Sequence, residues 1–386
     1  MKVEQIYSLM NTVTGEVLGK ADIVKEDLSN VVDVGTEIFN QTSVDNYVKS
    51  LVNHIGKVIF VNRPYAGNAP SVLMDGWEFG SVLEKIQADI PEAVENESWN
   101  LVDKQEYKQD IFYKPSVSAK FFNKRVTFEV AMSFTDRQVK ESFSSAEQLN
   151  GFLSMLYNSV EKSMSIKIDS LIMRTINNMI AETIKSDYAG SLTDLTQKSG
   201  VKAVNLLYLY NQKYTKTLTA EQAITDADFI RFASYTISLY KDRLSKISTL
   251  FNVGGKERFT AGEYLHTILL SDFVSASDVF LQSNTFNKEM IALPKAERVP
   301  YWQGSGTDYS FAKTSDINVT CASGEDIAVS GVIGVMFDRD SLGVSNLNRR
   351  VTTNYNAKAE FYNNYYKFDA GYFNDLNENF VVFFME

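Results

Sequence analysis

The sequence holds a single cysteine, Cys321, among 386 residues, so no disulfide can form within the chain. Such a composition fits a reducing compartment. Histidine is almost as scarce. His54 and His266 stand far apart without local partners, and each reads as an ordinary surface or core residue rather than part of a triad or a His-based metal site. No GxGxxG or GxSxG occurs, and Gly254-Gly255-Lys256 lacks the P-loop spacing and its following Ser or Thr. No run approaches the roughly 18 consecutive apolar residues of a membrane span. Met1 to Lys20 lacks the apolar core of a secretory signal, so the sequons at Asn40, Asn96 and Asn318 are read as chance. Basic residues are outnumbered, 38 against 48 acidic, and the net charge of −10 excludes a general nucleic-acid binder. Prolines number 6, with none between Pro115 and Pro294, which suits a middle region rich in helix.

What is present is ordinary in proportion, 44% hydrophobic and 22% charged, and rich in aromatics, with 25 Phe and 20 Tyr. The length allows two or three domains, each with its own core. The organising stretch is 144–185. Ser144 with Glu147, or Ser145 with Gln148, can form a capping box. Leu149, Phe152, Leu153, Leu156, Val160, Met164, Ile168, Leu171, Ile172, Met179, Ile180 and Ile184 then recur at steps of three and four, one helical face. A helix of about 40 residues at 1.5 Å each spans about 60 Å. It must lie along something, because packing rather than propensity supports long helices.

Before this helix, residues 1–53 read as an arm that orders against something else, with short amphipathic pieces such as Val3 to Met10. Lys57 to Asn62 reads as a strand, followed by a turn-rich stretch through Gly80. Gly80 to Ala88 and Ser116 to Phe134 read as strands flanking an acidic segment, Asp89 to Lys114. Together they suggest a large extended hairpin. Isolated hairpins are marginal in water, so this one either packs on a neighbouring subunit or folds back on its own core. After the helix, Ala203 to Tyr214 and Asp226 to Ile247 read as helices, the second capped by Asp226. Leu265 to Leu270 reads as a strand and Ser275 to Leu281 as a short helix. Strand patterns return over Ile327 to Phe337, Arg350 to Asn356, Glu360 to Tyr372 and Asn379 to Phe384. The class is α+β, with the terminal strands expected to join the early ones around the helix and the middle inserted.

Chemistry has one candidate. Asp338-Arg339-Asp340 follows an apolar strand, where paired carboxylates can hold a divalent cation beside a nucleotide phosphate, as in a metal-dependent transferase. The same residues suit a turn in which Asp side chains bond the nearby backbone. Lys120, Lys124, Arg125, Arg349 and Arg350 cluster locally. They read as solvated positions that could at most touch nucleic acid weakly.

Val332 to Leu342 (VIGVMFDRDSL), Arg349-Arg350-Val351 and Lys358 to Val382 together resemble the end of the major capsid proteins of tailed bacteriophages. The order of arm, hairpin, long helix and helical insert resembles the HK97-like capsid fold. The resemblance implies an N-terminal arm at 1–55, a P-domain strand at 56–66 and an E-loop at 67–116. It further implies a P-domain at 117–189 with the spine helix at 144–185, an A-domain at 190–325, and C-terminal strands completing the P-domain at 326–386. It implies a structural protein, not an enzyme, without cofactor or metal. Its partners would be copies of itself in hexamers and pentamers of an icosahedral head, scaffolding, portal and decoration proteins, and packaged double-stranded DNA, with no membrane. Such a protein would be assembled in the bacterial host cytoplasm. Only about 50 residues precede the first strand, so scaffolding is expected to be a separate protein or already removed. An encapsulin, the shell of a bacterial nanocompartment, shares the fold and is the alternative.

Overall fold

The computed structural model describes residues 3–18, 69–74, 83–88, 100–107, 110–114, 116–142, 144–188, 194–282, 293–303, 310–321 and 323–386, with a few positions elsewhere before residue 100. Two compact units are present. One comprises Met1–Glu78, Arg125–Thr175 and Val344–Gly371, the other Phe79–Lys124, Ile176–Gly343 and Tyr372–Glu386. In chain order the first principal elements are α1 (Val3–Leu18), β1 (Leu73–Met74), β2 (Leu83–Ala88), β3 (Val117–Phe122), β4 (Arg125–Thr135), α2 (Asp136–Ser142) and α3 (Ala146–Tyr188). There follow β5 (Ala203–Asn205), α4 (Leu206–Tyr214), α5 (Ala227–Leu244), β6 (Leu265–Leu270), α6 (Ser271–Gln282), β7 (Glu297–Val299), β8 (Ile317–Thr320) and β9 (Asp326–Val329). The chain closes with β10 (Val332–Asp338), β11 (Leu342–Asn356), β12 (Phe361–Asn374) and β13 (Phe380–Phe384).

Helix α3 starts at the second of the two capping pairs offered by the sequence. The Ser145 hydroxyl accepts the Gln148 amide at 3.2 Å, and its carbonyl accepts the Leu149 amide at 3.0 Å. The helix runs 43 residues. Leu149, Leu153, Leu156, Val160, Met164 and Ile168 are buried along one face, while Ile166 is 66% exposed. From Leu171 the burial becomes nearly all-round, taking in Ile172, Met173, Ile176, Met179, Ile180, Ala181 and Ile184. Thr175 and Thr183 survive there because their hydroxyls donate to the Leu171 and Met179 carbonyls at 2.8 Å each. The single stripe read from sequence thus describes only the first half.

In the first unit, strands run in the order β1-β11-β12-β4. β4 pairs with β12 antiparallel without interruption from Thr135↔Phe361 to Arg125↔Gly371. β4 alternates strictly, with Val126, Phe128, Val130 and Met132 half-buried, the period-two pattern of a strand covered on one face. Phe128 meets Phe368 across the ladder, ring centroids 5.1 Å apart. Arg350 reaches Asp369 at 2.8 Å, so this arginine is ion-paired rather than simply solvated.

In the second unit, the sheet order is β5-β13-β10-β6-β7. Every residue of β10 and β13 is buried, the continuous apolar run of strands covered on both faces. Tyr210 of α4, Phe229 and Ile237 of α5 and Phe273 of α6 join Phe383 in one core. Asp226 caps α5 as read, accepting the Phe229 amide at 2.7 Å.

Several expectations are corrected. Ser116 to Phe134 is two strands, broken at Asn123-Lys124, and they pair with different partners, β3 with β2 and β4 with β12. Ile327 to Phe337 is also two, because Gly331 at φ +73° turns the chain, and a Cβ there would collide with the Met385 carbonyl. The terminal strands divide: β11 and β12 join early strands, but β10 and β13 pair with β6 and β5 from the middle of the chain. Their unbroken apolar character demands a sheet covered on both sides, and that sheet lies in the second unit. Ala203 to Tyr214 begins as a strand before turning helical, α6 starts four residues earlier than read, and α2 was not foreseen. The start of the expected arm is a 16-residue helix with Met10 and Val13 buried. Lys57 to Asn62, His54, Asn40 and Asn96 lie outside the described residues.

Candidate interaction surface

The hairpin β2–β3 has its faces the wrong way round for a free surface. In register, Leu83 faces Phe122, Lys85 faces Lys120 and Gln87 faces Ser118 on one side. Glu84 with Phe121, Ile86 with Ala119 and Ala88 with Val117 occupy the other. The lysine-bearing side is partly buried, whereas Ile86 and Phe121 stand 66% and 63% exposed. Beyond the strands, Phe112 and Tyr113 are 87% and 81% exposed. The hairpin thus half-buries its lysines with Phe122 and leaves Ile86 and Phe121 exposed on the opposite face. Exposed apolar surface of this kind marks a contact with another molecule.

Why the lysines turn inward is settled by the turn between β12 and β13. Asp375, whose side chain is fully buried, accepts Lys85 at 3.0 Å on Oδ2 and Lys120 at 2.7 Å on Oδ1. Lys85 also reaches Glu378 at 2.9 Å, and Gln87 donates to the same carboxylate at 2.5 Å. Arg258 bonds Gln87 Oε1 at 2.6 Å and approaches Glu378 at 3.3 Å. The turn itself is fixed from two sides. The Asp375 amide donates to the Ser341 carbonyl at 2.7 Å, and the Gly254 amide donates to the Leu376 carbonyl at 2.7 Å. A Cβ at Gly254 would strike the Asn377 side chain, which would have to move aside.

Burial alone would raise the Asp375 pKa. The Lys120 hydrogen bond, the Lys85 charge and the Asn377 amide outweigh it and hold the group below its ordinary value. A carboxylate depressed in the folded state stabilises above its unfolded pKa, and that contribution is lost as pH falls through the folded one. The hairpin base is therefore expected to stay anchored at neutral pH and to loosen only below about pH 4, the usual aspartate range. Amide exchange of residues 83–88 and 117–122, corrected for intrinsic rates, checks this. Equal protection at pH 3 and pH 6 would contradict it.

Asp338 and Asp340, singled out for a divalent cation, form a turn. Asp338 Oδ1 accepts the Asp340 amide at 2.9 Å, and the Asp338 carbonyl accepts the Ser341 amide at 2.9 Å. Arg339 lies over the Tyr264 ring at 4.7 Å. The Asp340 carbonyl accepts Lys85 at 3.2 Å, so this turn supports the hairpin base. Among the described residues no three His, Cys, Asp or Glu side chains are grouped to hold a metal ion. Burial lowers the His266 pKa from its ordinary value, and its ring lies beside Phe337 at 5.9 Å. Cys321 is buried, which pushes its thiol up to about 11, far from a reactive thiolate. Lys120 read as a solvated residue in the sequence. Its strict alternation with Phe122 and Ser118 was the available signal that it shares their face.

A family model described as Phi29-like phage major capsid protein matches residues 10–384. A major capsid protein of Bacillus phage B103 is 22% identical over 217 residues, covering 53% of this chain and 47% of that protein. The match thus spans about half the length of that relative. A chain from the capsid structure of Staphylococcus phage Andhra is 10% identical, at a TM-score of 0.49, over 84% of this chain and 85% of that one. A chain from bacteriophage P68, in a structure described as its head fiber and inner core protein gp22, gives a TM-score of 0.49. It is 10% identical over 84% of this chain and 86% of that one.

Proposed function

Since the chain belongs to the Phi29-like phage major capsid protein family, we propose that it is the shell subunit of a tailed-phage head, associating with copies of itself into hexamers and pentamers. The observation that carries this reading is the inverted hairpin, which offers Ile86, Phe121, Phe112 and Tyr113 to another molecule while its lysines grip its own subunit. In this reading β2, β3 and the segment between them take the role of the E-loop and lie on a neighbouring copy. The sheet β1-β11-β12-β4 with the first half of α3 takes the role of the P-domain. The five-stranded sheet with α4, α5 and α6 takes that of the A-domain. Such a subunit needs no reaction centre. Its affinity comes from many modest contacts repeated by symmetry.

The phage assignment is preferred to an encapsulin because the family match is to phage capsid proteins and covers nearly the whole chain. Scaffolding, portal and decoration proteins, assembly in the host cytoplasm and a loose contact with packaged double-stranded DNA belong to the same reading. The net charge of −10 permits only weak electrostatic attraction to DNA overall. Sedimentation and electron microscopy of the full chain, alone and co-expressed with its genomic neighbours, test it. Closed shells, or rings of five and six subunits, are expected. A compact monomer under every condition would overturn it.

A further inference from the structure

Lys85 and Lys120 stand directly opposite each other across the β2–β3 ladder. Like charges in that position destabilise a strand pair. Here they are also partly buried, with side-chain exposures of 18% and 34%. The arrangement is tolerable only because one carboxylate takes a proton donor from each strand: Lys85 on Asp375 Oδ2, Lys120 on Asp375 Oδ1. Three cations, Lys85, Lys120 and Arg258, meet two carboxylates, Asp375 and Glu378. Of the two acids, only Asp375 contacts both strands of the hairpin.

We propose that Asp375 is the positioning residue of the hairpin, a buried pin that joins its two strands to the β12–β13 turn and sets the direction in which it leaves the subunit. The pin is directional. Asp375 sits in a turn whose amide is held by Ser341 and whose next carbonyl is held by Gly254, so the carboxylate cannot follow the hairpin if it swings. Lys85 adds a second tie to the same rim through the Asp340 carbonyl. With Asp375 uncharged, Lys120 loses its ion pair, Lys85 keeps Glu378 as its one carboxylate beside the Asp340 carbonyl, and the two ammonium groups repel across the ladder. Removing one member of a buried ionic cluster is far costlier than removing the cluster as a whole. That asymmetry gives the test its sign. The pin itself is a property of the single subunit. Only its consequence for assembly rests on the reading of the chain as a shell protein.

The substitution Asp375→Asn keeps one side-chain oxygen to accept the Asn377 amide, which lies 3.0 Å from Oδ1, and replaces the charge and the second acceptor oxygen by a neutral NH2 donor. Hydrogen exchange on the unassembled full chain is the primary readout. In D375N, amides of residues 83–88 and 117–122 are expected to exchange about tenfold faster or more, with β10 and β13 unchanged. Adding Lys85→Met and Lys120→Met to D375N removes the repulsion and is expected to restore most of the protection. Unchanged hairpin exchange in D375N would overturn the pin. So would a triple variant no better protected than the single one, since a merely structural role for Asp375 predicts no rescue. Shell yield is then measured for D375N. A loosened hairpin with normal shells would leave the pin standing and sink the assignment of the hairpin to the subunit contact.

Discussion

Replacing Ile168 by proline is expected to abolish cooperative folding of the first unit. Ile168 is fully buried and lies at the twenty-third position of a 43-residue helix. Proline there removes the amide that bonds the Met164 carbonyl and drives its ring into that carbonyl, at about 3 kcal/mol or more. It also trades a buried isoleucine for a smaller side chain, a class of change that costs about 2–5 kcal/mol when carried to alanine. A domain's whole stability is about 5–15 kcal/mol, so the two losses together approach or exceed it. A paired comparison separates them. Ile166 is 66% exposed, so Ile166→Ala is expected to be nearly silent, while Ile166→Pro pays the backbone term alone. Calorimetry on the four variants is expected to find I166A the least and I168P the most destabilised, with I166P and I168A between them. A melt for I168P within a few degrees of the parent would mean that the helix is not continuous through residue 168.

The spine was legible because every rule agreed there. A cap, a proline-free run and a 3.6-residue period all pointed to one long helix, and the structure begins it within two residues of the expected start. β4 was legible by its alternation, but its start was not. Residues 117–135 alternate almost without a fault, so period two gave no sign that Asn123-Lys124 ends one ladder and begins another. What separates them is the partner each strand finds, and pairing partners are far away in sequence: Leu83 to Ala88 for one, Phe361 to Gly371 for the other. The same limit governs β10 and β13. Their unbroken apolar runs announced strands covered on both faces, but nothing local says that β6 and β5 supply the neighbours. The clamp was hidden for a different reason. Lys85, Lys120, Arg258, Asp375 and Glu378 come from three distant parts of the chain, and lysine in an exposed-looking strand reads as solvated unless a buried acid is known to face it. The Asp338–Asp340 turn is the converse. Two close acids looked like a metal site, but the Asp338 carboxylate accepts the Asp340 amide and the Asp340 carboxylate lies 3.6 Å from Arg339.

The double substitution Ile86→Asp and Phe121→Asp is expected to stop shell formation while leaving the subunit folded. Both side chains project from the face of β2–β3 opposite the lysines and are about two-thirds exposed in the free chain. Changes at such exposed positions usually alter stability by no more than about 0.5 kcal/mol. In the assembled shell the same residues would be covered by a neighbour. Burying an isoleucine or a phenylalanine contributes about 1.5–3 kcal/mol each. Burying an unpaired carboxylate in their place reverses the sign and adds several kcal/mol more. Because the contact recurs at every subunit, the loss is multiplied around each ring. The concentration needed for assembly is expected to rise by at least about a hundredfold, which follows from a loss of about 2.7 kcal/mol per contact. Light scattering against concentration measures that threshold, and circular dichroism confirms the fold. Glu84→Gln on the same face is the control: it changes charge without removing apolar area, so the threshold should barely move. Assembly of the double variant at the parental concentration would show that this face stays in solvent. The exposed phenylalanine would then need another partner, and the inverted hairpin would no longer support a shell contact.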